Sequence, residues 1–327
     1  MYDVLQKGGL IVAAAGTLFI SGCGGGGGGS ASLPTLNVPA AVATADNGAM
    51  AVETLIGGQS AGAPGGYLLF AASSNNVSGD TVEPFSAPRF ISDKNGPVAQ
   101  VLSFSPEVLN ASLYTENCPY GGTISVSGSG SATHIDATAK FDNCSLDVNF
   151  TMNGSMRVIV DGTNFGYSNE TYEYTRIYFP SDFTMTMDLD TFSIRAGSNM
   201  ETNYTYYGSY GEYAGGTMTS SVQWSDGNMT GRYDDLTEAF AYDYTVSPST
   251  ETDCYMAGTI YIDNLTASIA VDSTYGCGDP FTYSDFDLIS GSMRLIGSGG
   301  GVIDVNVTAI NTITVTDQNG TDINVTL

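Results

Sequence analysis

The sequence predicts an all-β protein: an antiparallel meander built from a duplicated unit, curled into a large curved sheet, partial barrel or sandwich, with a short N-terminal helix. Three observations lead there. Apolar residues alternate with Ser, Thr, Asn and Asp at period two over most of the chain beyond Gly122, the pattern of strands with one buried and one wet face. Turn-forming residues interrupt that alternation at short intervals. One motif also occurs twice. Cys118 opens Cys-Pro-Tyr-Gly-Gly-Thr-Ile and Gly154 opens Gly-Ser-Met-Arg-Val-Ile; Cys254 opens Cys-Tyr-Met-Ala-Gly-Thr-Ile and Gly291 opens Gly-Ser-Met-Arg-Leu-Ile. The offsets are 136 and 137 positions, which marks an internal repeat.

In chain order, residues 1–22 form a leader and 23–33 a glycine-rich linker. Residues 34–110 read as a cover packed on the sheet. Asp46-Asn47 is a candidate cap for a helix through about Ile56, with Met50, Val52, Leu55 and Ile56 apolar and Gly57-Gly58 as its stop. Strands are expected at Tyr67–Ala72 and Gln100–Phe104, and one helical turn at Ser105-Pro106-Glu107. Residues 111–245 hold the first repeat and a tyrosine-rich connection, and 246–327 the second repeat.

Within the first repeat, Ile124 and Val126 share a face, as do Ile135, Ala137, Ala139 and Phe141. Leu146, Val148, Phe150 and Met152 follow, then an Asn153-Gly154 hairpin signal, then Met156, Val158 and Val160. Phe183 and Met185, Met218, Val222 and Trp224, and Phe240 continue the pattern. Ile260, Ile269, Val271, Leu288, Met293 and Leu295 repeat it, and Val305, Val307, Ala309, Ile313 and Val315 close it. About a dozen or more strands with one apolar face must curl. A membrane-spanning barrel is disfavoured, because a single tryptophan supplies no girdle and many apolar positions are only Ala or Met.

The start of the chain has a different character. Lys7 is followed by an apolar run from Gly8 to Phe19, too short for a spanning helix, and then by Ile20-Ser21-Gly22-Cys23. This tetrapeptide resembles the lipobox of bacterial lipoproteins. The resemblance implies acylation of Cys23, cleavage after Gly22, and anchorage in a membrane. Gly24 in place of an aspartate implies the outer membrane, with the domain on either its periplasmic or its cell-surface side. Six glycines from Gly24 suit a spacer. Counted as roughly 16 residues to the first element, it reaches about 20–24 Å.

Beyond the leader, eight basic residues face 33 acidic ones. That balance repels phosphate backbones, so nucleic acid is excluded as a partner. With Cys23 assigned to lipid, four cysteines remain, an even number suited to an oxidising compartment. The duplication selects Cys118–Cys144 and Cys254–Cys277, each closing a loop of about 25 residues and stabilising by roughly 3–4 kcal/mol. Cysteine spacing and a single histidine argue against zinc.

Catalytic signals are few. His134 alternates with Ile135 and lies on the wet face, and no Gly-x-Ser-x-Gly elbow accompanies it. No pair of acids stands out as a glycosidase pair. No cofactor is expected; the one calcium candidate is the oxygen-rich turn with Asp317, Asn319 and Asp322, which Asn-Gly hairpin chemistry explains equally well. Tyrosines concentrate between the repeats, and Tyr167, Tyr172, Tyr174, Tyr204, Tyr206, Tyr207 and Tyr210 form a candidate patch for a glycan or protein partner. The resulting expectation is a non-enzymatic, membrane-anchored envelope lipoprotein with a binding, adhesive or structural role. The alternatives are a carrier enclosing an apolar or glycan ligand within the curved sheet, and a hydrolase.

Overall fold

A computed structural model of the chain describes residues 32–56, 97–104, 106–110, 113–163, 171–187, 190–203, 205–206, 213–225, 230–243, 250–277, 279–284 and 287–326. Three short helices precede the sheet among these residues: α1 (Ala45–Ile56), α2 (Pro97–Leu102) and α3 (Pro106–Leu109). The side chain that caps α1 is Thr44, two positions before the expected Asp46-Asn47. Its hydroxyl accepts the Asn47 N–H at 3.3 Å, the third helical residue back to the cap. Ala45, Ala49, Val52 and Leu55 are buried against the sheet. The expected strand at Gln100–Phe104 is instead the end of α2, through Leu102, followed by a turn at Ser103 and Phe104. Pro97 suits a helix start, and Val98 and Val101, three apart, are both buried. The turn at Pro106 is helical as expected. Gly57-Gly58 and Tyr67–Ala72 lie outside the described residues.

Nineteen strands form one antiparallel sheet among the described residues. A meander of β1 (Tyr114–Asn117), β2 (Thr123–Gly130), β3 (His134–Asp147) and β4 (Phe150–Thr163) leads it. The far half of β4 pairs with β5 (Thr171–Tyr178), and its near half with β6 (Phe183–Met187). β5 continues to β8 (Asn199–Thr202) and β9 (Thr205–Tyr206), while β6 continues to β7 (Asp190–Ile194). Both branches rejoin on β10 (Tyr213–Ser225), through β8 at one end and β7 at the other.

From β10 the sheet runs to β11 (Thr230–Asp243) and β12 (Thr250–Ile262) and forks again. One branch is β13 (Ala267–Val271) and β16 (Ser292–Ile296); the other is β14 (Phe281–Ser284) and β15 (Asp287–Ser290). The last strands are β17 (Val302–Ala309), β18 (Thr312–Asp317) and β19 (Asp322–Thr326). Helix α1 packs on β12 and on β17 to β19, and α3 on β2, so the leading region covers the sheet.

The duplication is visible in this topology. β2, β3 and β4 of the first unit correspond to the end of β12, to β13 with β14, and to β15 with β16. Gly154 and Gly291 occupy equivalent places, with φ of 114° and 141°. A side chain at Gly154 would run into the backbone of Asp182 and Phe183, and one at Gly291 into that of Phe281, so only glycine fits. The Asn153-Gly154 pair is therefore no hairpin, contrary to the expectation. It lies inside β4, where the partner changes from β6 to β5, and the turn falls at Val148-Asn149. Val148, expected inside, is 73 % exposed at that turn. The copies differ at their openings. Pro119 breaks the first into the β1–β2 hairpin, whereas β12 runs on through Tyr255.

Both expected disulfides are formed, Cys118–Cys144 with Cα atoms 5.4 Å apart and Cys254–Cys277 with 5.6 Å. The alternating apolar residues make one contiguous core on the inner face, from Ile124 and Phe141 through Met185, Ile194 and Trp224 to Ile260, Leu295 and Val315. Ala309 is the exception among the closing strands and is exposed. Phe183 packs on Phe141 at 5.5 Å, edge to face, and on Phe179 at 5.6 Å.

Replacing Cys254 and Cys277 together by serine is expected to lower the unfolding free energy in urea by about 3 kcal/mol, the chain-entropy value for a loop of this length. A loss well below about 1 kcal/mol would contradict the staple role.

Candidate functional site

Four adjacent strands place a row of hydroxyls on the outer face. Thr184 of β6 faces Ser193 of β7, Ser193 faces Ser225 of β10, and Ser225 faces Thr230 of β11. The register that aligns them forces the intervening row, Phe183, Ile194, Trp224 and Gly231, to the inner side. Phe192 stacks on Trp224 at 5.8 Å, and a methyl group at Gly231 would overlap the indole, so this position must be glycine. Trp224 is 4 % exposed, and its Nε1 has no hydrogen-bond partner among the described residues.

A second outer row lies beside the first, formed by Asp182, Arg195, Gln223 and Arg232. Gln223 faces Arg232 across β10 and β11, and the Arg195 N–H donates to the Gln223 carbonyl at 2.9 Å. The Asp182 carboxylate accepts the Ala196 N–H at 2.8 Å, which fixes the turn after β7. Together with Pro34, the hydroxyl row and Asp182, Arg195 and Gln223 of the second row line a cleft of about 500 Å³.

Pro34 belongs to an arm, residues 32–44, that meets the outer face at Arg232 and runs along β13 to α1, where Ala41 and Ala43 join the core. Arg232 holds it there. The guanidinium, 2 % exposed, donates through Nε and Nη2 to both oxygens of Asp234 at 2.8 Å, and through Nη1 to the Pro34 carbonyl at 2.8 Å. Its Cζ sits 5.0 Å from the Tyr261 ring centroid, and the Tyr261 hydroxyl donates to Asp234 at 2.8 Å. Burial, together with the adjacent Asp234 carboxylate, pushes the Tyr261 hydroxyl up to about 12. Farther along, the arm bonds to β13, Ala41 N–H to the Ser268 carbonyl at 2.7 Å and Ser268 N–H to the Pro39 carbonyl at 3.1 Å.

Four of the five described arginines share a carboxylate: Arg157 with Asp136, Arg176 with Glu201, Arg232 with Asp234 and Arg294 with Asp304. Arg195 is the fifth. It is exposed at the cleft and has no carboxylate partner among the described residues.

A second unusual group lies on the inner face. Glu238 and Asp253 are 4 % and 5 % exposed, on paired strands, with Glu238 opposite Tyr255 and Asp253 opposite Phe240. Burial, and then the Asp253 charge, hold the Glu238 carboxyl well above the usual glutamate range. Burial likewise raises the neighbouring Tyr233 and Tyr255 hydroxyls. Both carboxyls lie on the inner face, buried away from the cleft.

The sequence candidates fall in different places. Cys23, Tyr167, Tyr204, Tyr207 and Tyr210 lie outside the described residues. Tyr172 and Tyr206 stand on neighbouring strands, offset by one position. Tyr174 and Tyr178 flank the Arg176 guanidinium at 5.1 and 5.6 Å, and burial pushes the Tyr174 hydroxyl up to about 12. Asp317 turns its carboxylate onto the N–H groups of Asn319 and Thr321 at 2.8 and 2.9 Å, which hold it below the usual range. Asp322 begins β19 opposite Thr316. Among the described residues no group of three acids, histidines or cysteines is placed to bind a metal. His134 pairs with Asp161 at 2.7 Å, both about half exposed.

The cleft residues gave no sequence signal, because they meet only through the register of four strands. Glu238 did give one, since it stands two positions before Phe240 on the apolar face. No protein-family model matches the chain, and neither the curated proteins nor the solved structures compared with it contain a match.

Because Glu238 is protonated in the folded chain at pH values where it ionises on unfolding, its contribution is complete below the ordinary glutamate pKa and is lost as pH rises toward the native value. Glu238→Gln is expected to raise the melting temperature relative to wild type at pH 8, by an amount corresponding to about 1–3 kcal/mol, and to change it little at pH 4. An equal shift at both pH values would contradict the titration.

Proposed function

We propose that the chain is an outer-membrane lipoprotein, anchored by acyl groups on Cys23, whose folded domain is a non-enzymatic binding module. The observation that carries this reading is the position of the arm. Pro34, only eleven positions beyond Cys23, is already fixed to the sheet and forms a wall of the cleft. A glycine-rich spacer of that length spans roughly 17–20 Å, so the cleft stands close to the surface that holds the lipid.

The competing readings are weaker on particular grounds. A carrier needs room inside the curl, and the inner face is occupied by packed side chains from Phe141 to Val315. A hydrolase needs a nucleophile and a base in a cleft, whereas the His134–Asp161 pair is half exposed and lies on β3 and β4, apart from the cleft strands. An adhesive role draws support from the Tyr174, Arg176 and Tyr178 stack on β5, a partly exposed aromatic surface.

The test compares wild type with Cys23→Ala by membrane fractionation and intact mass. Wild type is expected in the outer-membrane fraction, with a mass exceeding that of the cleaved polypeptide by its acyl groups, and the variant in the soluble fraction. A wild-type chain with an unmodified Cys23 would overturn the anchor.

A further inference from the structure

We infer that the cleft under the arm binds a saccharide carrying an acidic group. The inference rests on the binding role proposed above and names the class of ligand. Its floor is the row Thr184, Ser193, Ser225 and Thr230, whose strands are spaced about 4.8 Å apart, so the row is about 14 Å long. Hydroxyls both donate and accept, and the Gln223 amide does the same from the next row. Such a strip matches a ligand that presents alternating donors and acceptors along its length, which is the character of a sugar. The cleft of about 500 Å³ lies within the range of roughly 300–1,000 Å³ of small-molecule sites.

Arg195 adds the acidic requirement. The chain carries a net charge of −25, and every other described arginine is paired with a carboxylate of its own. A guanidinium with no carboxylate partner among the described residues, set beside a cleft, is a place where an anion is attracted to a surface that otherwise repels it. Its planar fork takes a carboxylate or a phosphate through two parallel hydrogen bonds. Asp182, the one acid among the described lining residues, accepts the Ala196 N–H, and Arg232 is buried against Asp234 and the Pro34 carbonyl. Arg195 is therefore the group left to meet a ligand's charge.

Trp224, the only tryptophan of the chain, stands between Gln223 and Ser225 with its indole packed on the inner side of β10, directly behind the floor of the cleft, so its fluorescence reports on this part of the sheet. The purified mature chain is titrated with methyl glucuronoside, glucose 6-phosphate, methyl glucoside and inorganic phosphate. At least one acidic sugar is expected to change the emission saturably, at a concentration at least tenfold below that needed for methyl glucoside or phosphate. The glucuronoside responding better identifies a carboxylate ligand, and glucose 6-phosphate responding better a phosphorylated one; both support the site. Arg195→Gln, which leaves the backbone hydrogen bonds of Arg195 in place, is expected to weaken that response at least tenfold at an unchanged melting temperature. Equal affinity for methyl glucoside, an equal response to phosphate, or undiminished binding by the variant would overturn the acidic-sugar assignment. No saturable response to any of the four would overturn the site itself, while acylation of Cys23 in the same preparation reports separately on the anchor.

Discussion

A ladder of antiparallel strands with one apolar side has to hide that side from water, and most of this molecule follows from the requirement. Each Phe, Met or Ile moved inside contributes about 1.5–3 kcal/mol, and the inner face carries dozens of such residues in one contiguous core. The long strands β4 and β12 each accept two short partners end to end, which allows the sheet to change direction between them. Gly154 and Gly291 stand at equivalent partner changes because the neighbouring backbone approaches too closely for any side chain. The two disulfides fasten each unit at its opening, so each copy is stapled within itself.

Hiding one face leaves the other wet, and a wet polar face is not a site until something encloses part of it. Here the enclosing element is the arm, and Arg232 is what attaches it. A buried guanidinium is costly unless it is paired and hydrogen-bonded. Asp234 and the Pro34 carbonyl take three of its hydrogen bonds and the Tyr261 ring lies beside it, and in meeting that need they bring the arm onto β11. The polar rows of β6, β7, β10 and β11 become a cleft at that place.

Much of the fold was legible because period-two alternation is a direct consequence of one-sided burial. Ile135, Ala137, Ala139 and Phe141 are all inside, as their spacing required, and the repeat chose the cysteine pairs. Local signals misled where tertiary contacts outweighed them. Asn153-Gly154 has the composition of a hairpin, yet Gly154 serves the close approach of Phe183. Gln100–Phe104 was too short for its period to be told apart, and two buried valines three apart settle it as helix. The cleft was illegible for a different reason. Thr184, Ser193, Ser225 and Thr230 are ordinary wet-face residues one by one, and only a register spanning 46 positions of chain aligns them. Arg232 likewise gave no sign that Pro34, 198 positions earlier, would accept its hydrogen bond.

Arg232 docks the arm and so makes the cleft. Hydrogen–deuterium exchange on the mature chain and on Arg232→Met tests it directly, read on peptides covering residues 32–44 and, as a reference, on peptides from β3 and β4. The expected result is exchange of the arm at least tenfold faster in the variant, with the reference peptides unchanged. An arm that stays equally protected without the guanidinium would contradict the claim, and so would a loss of protection spread over the whole sheet.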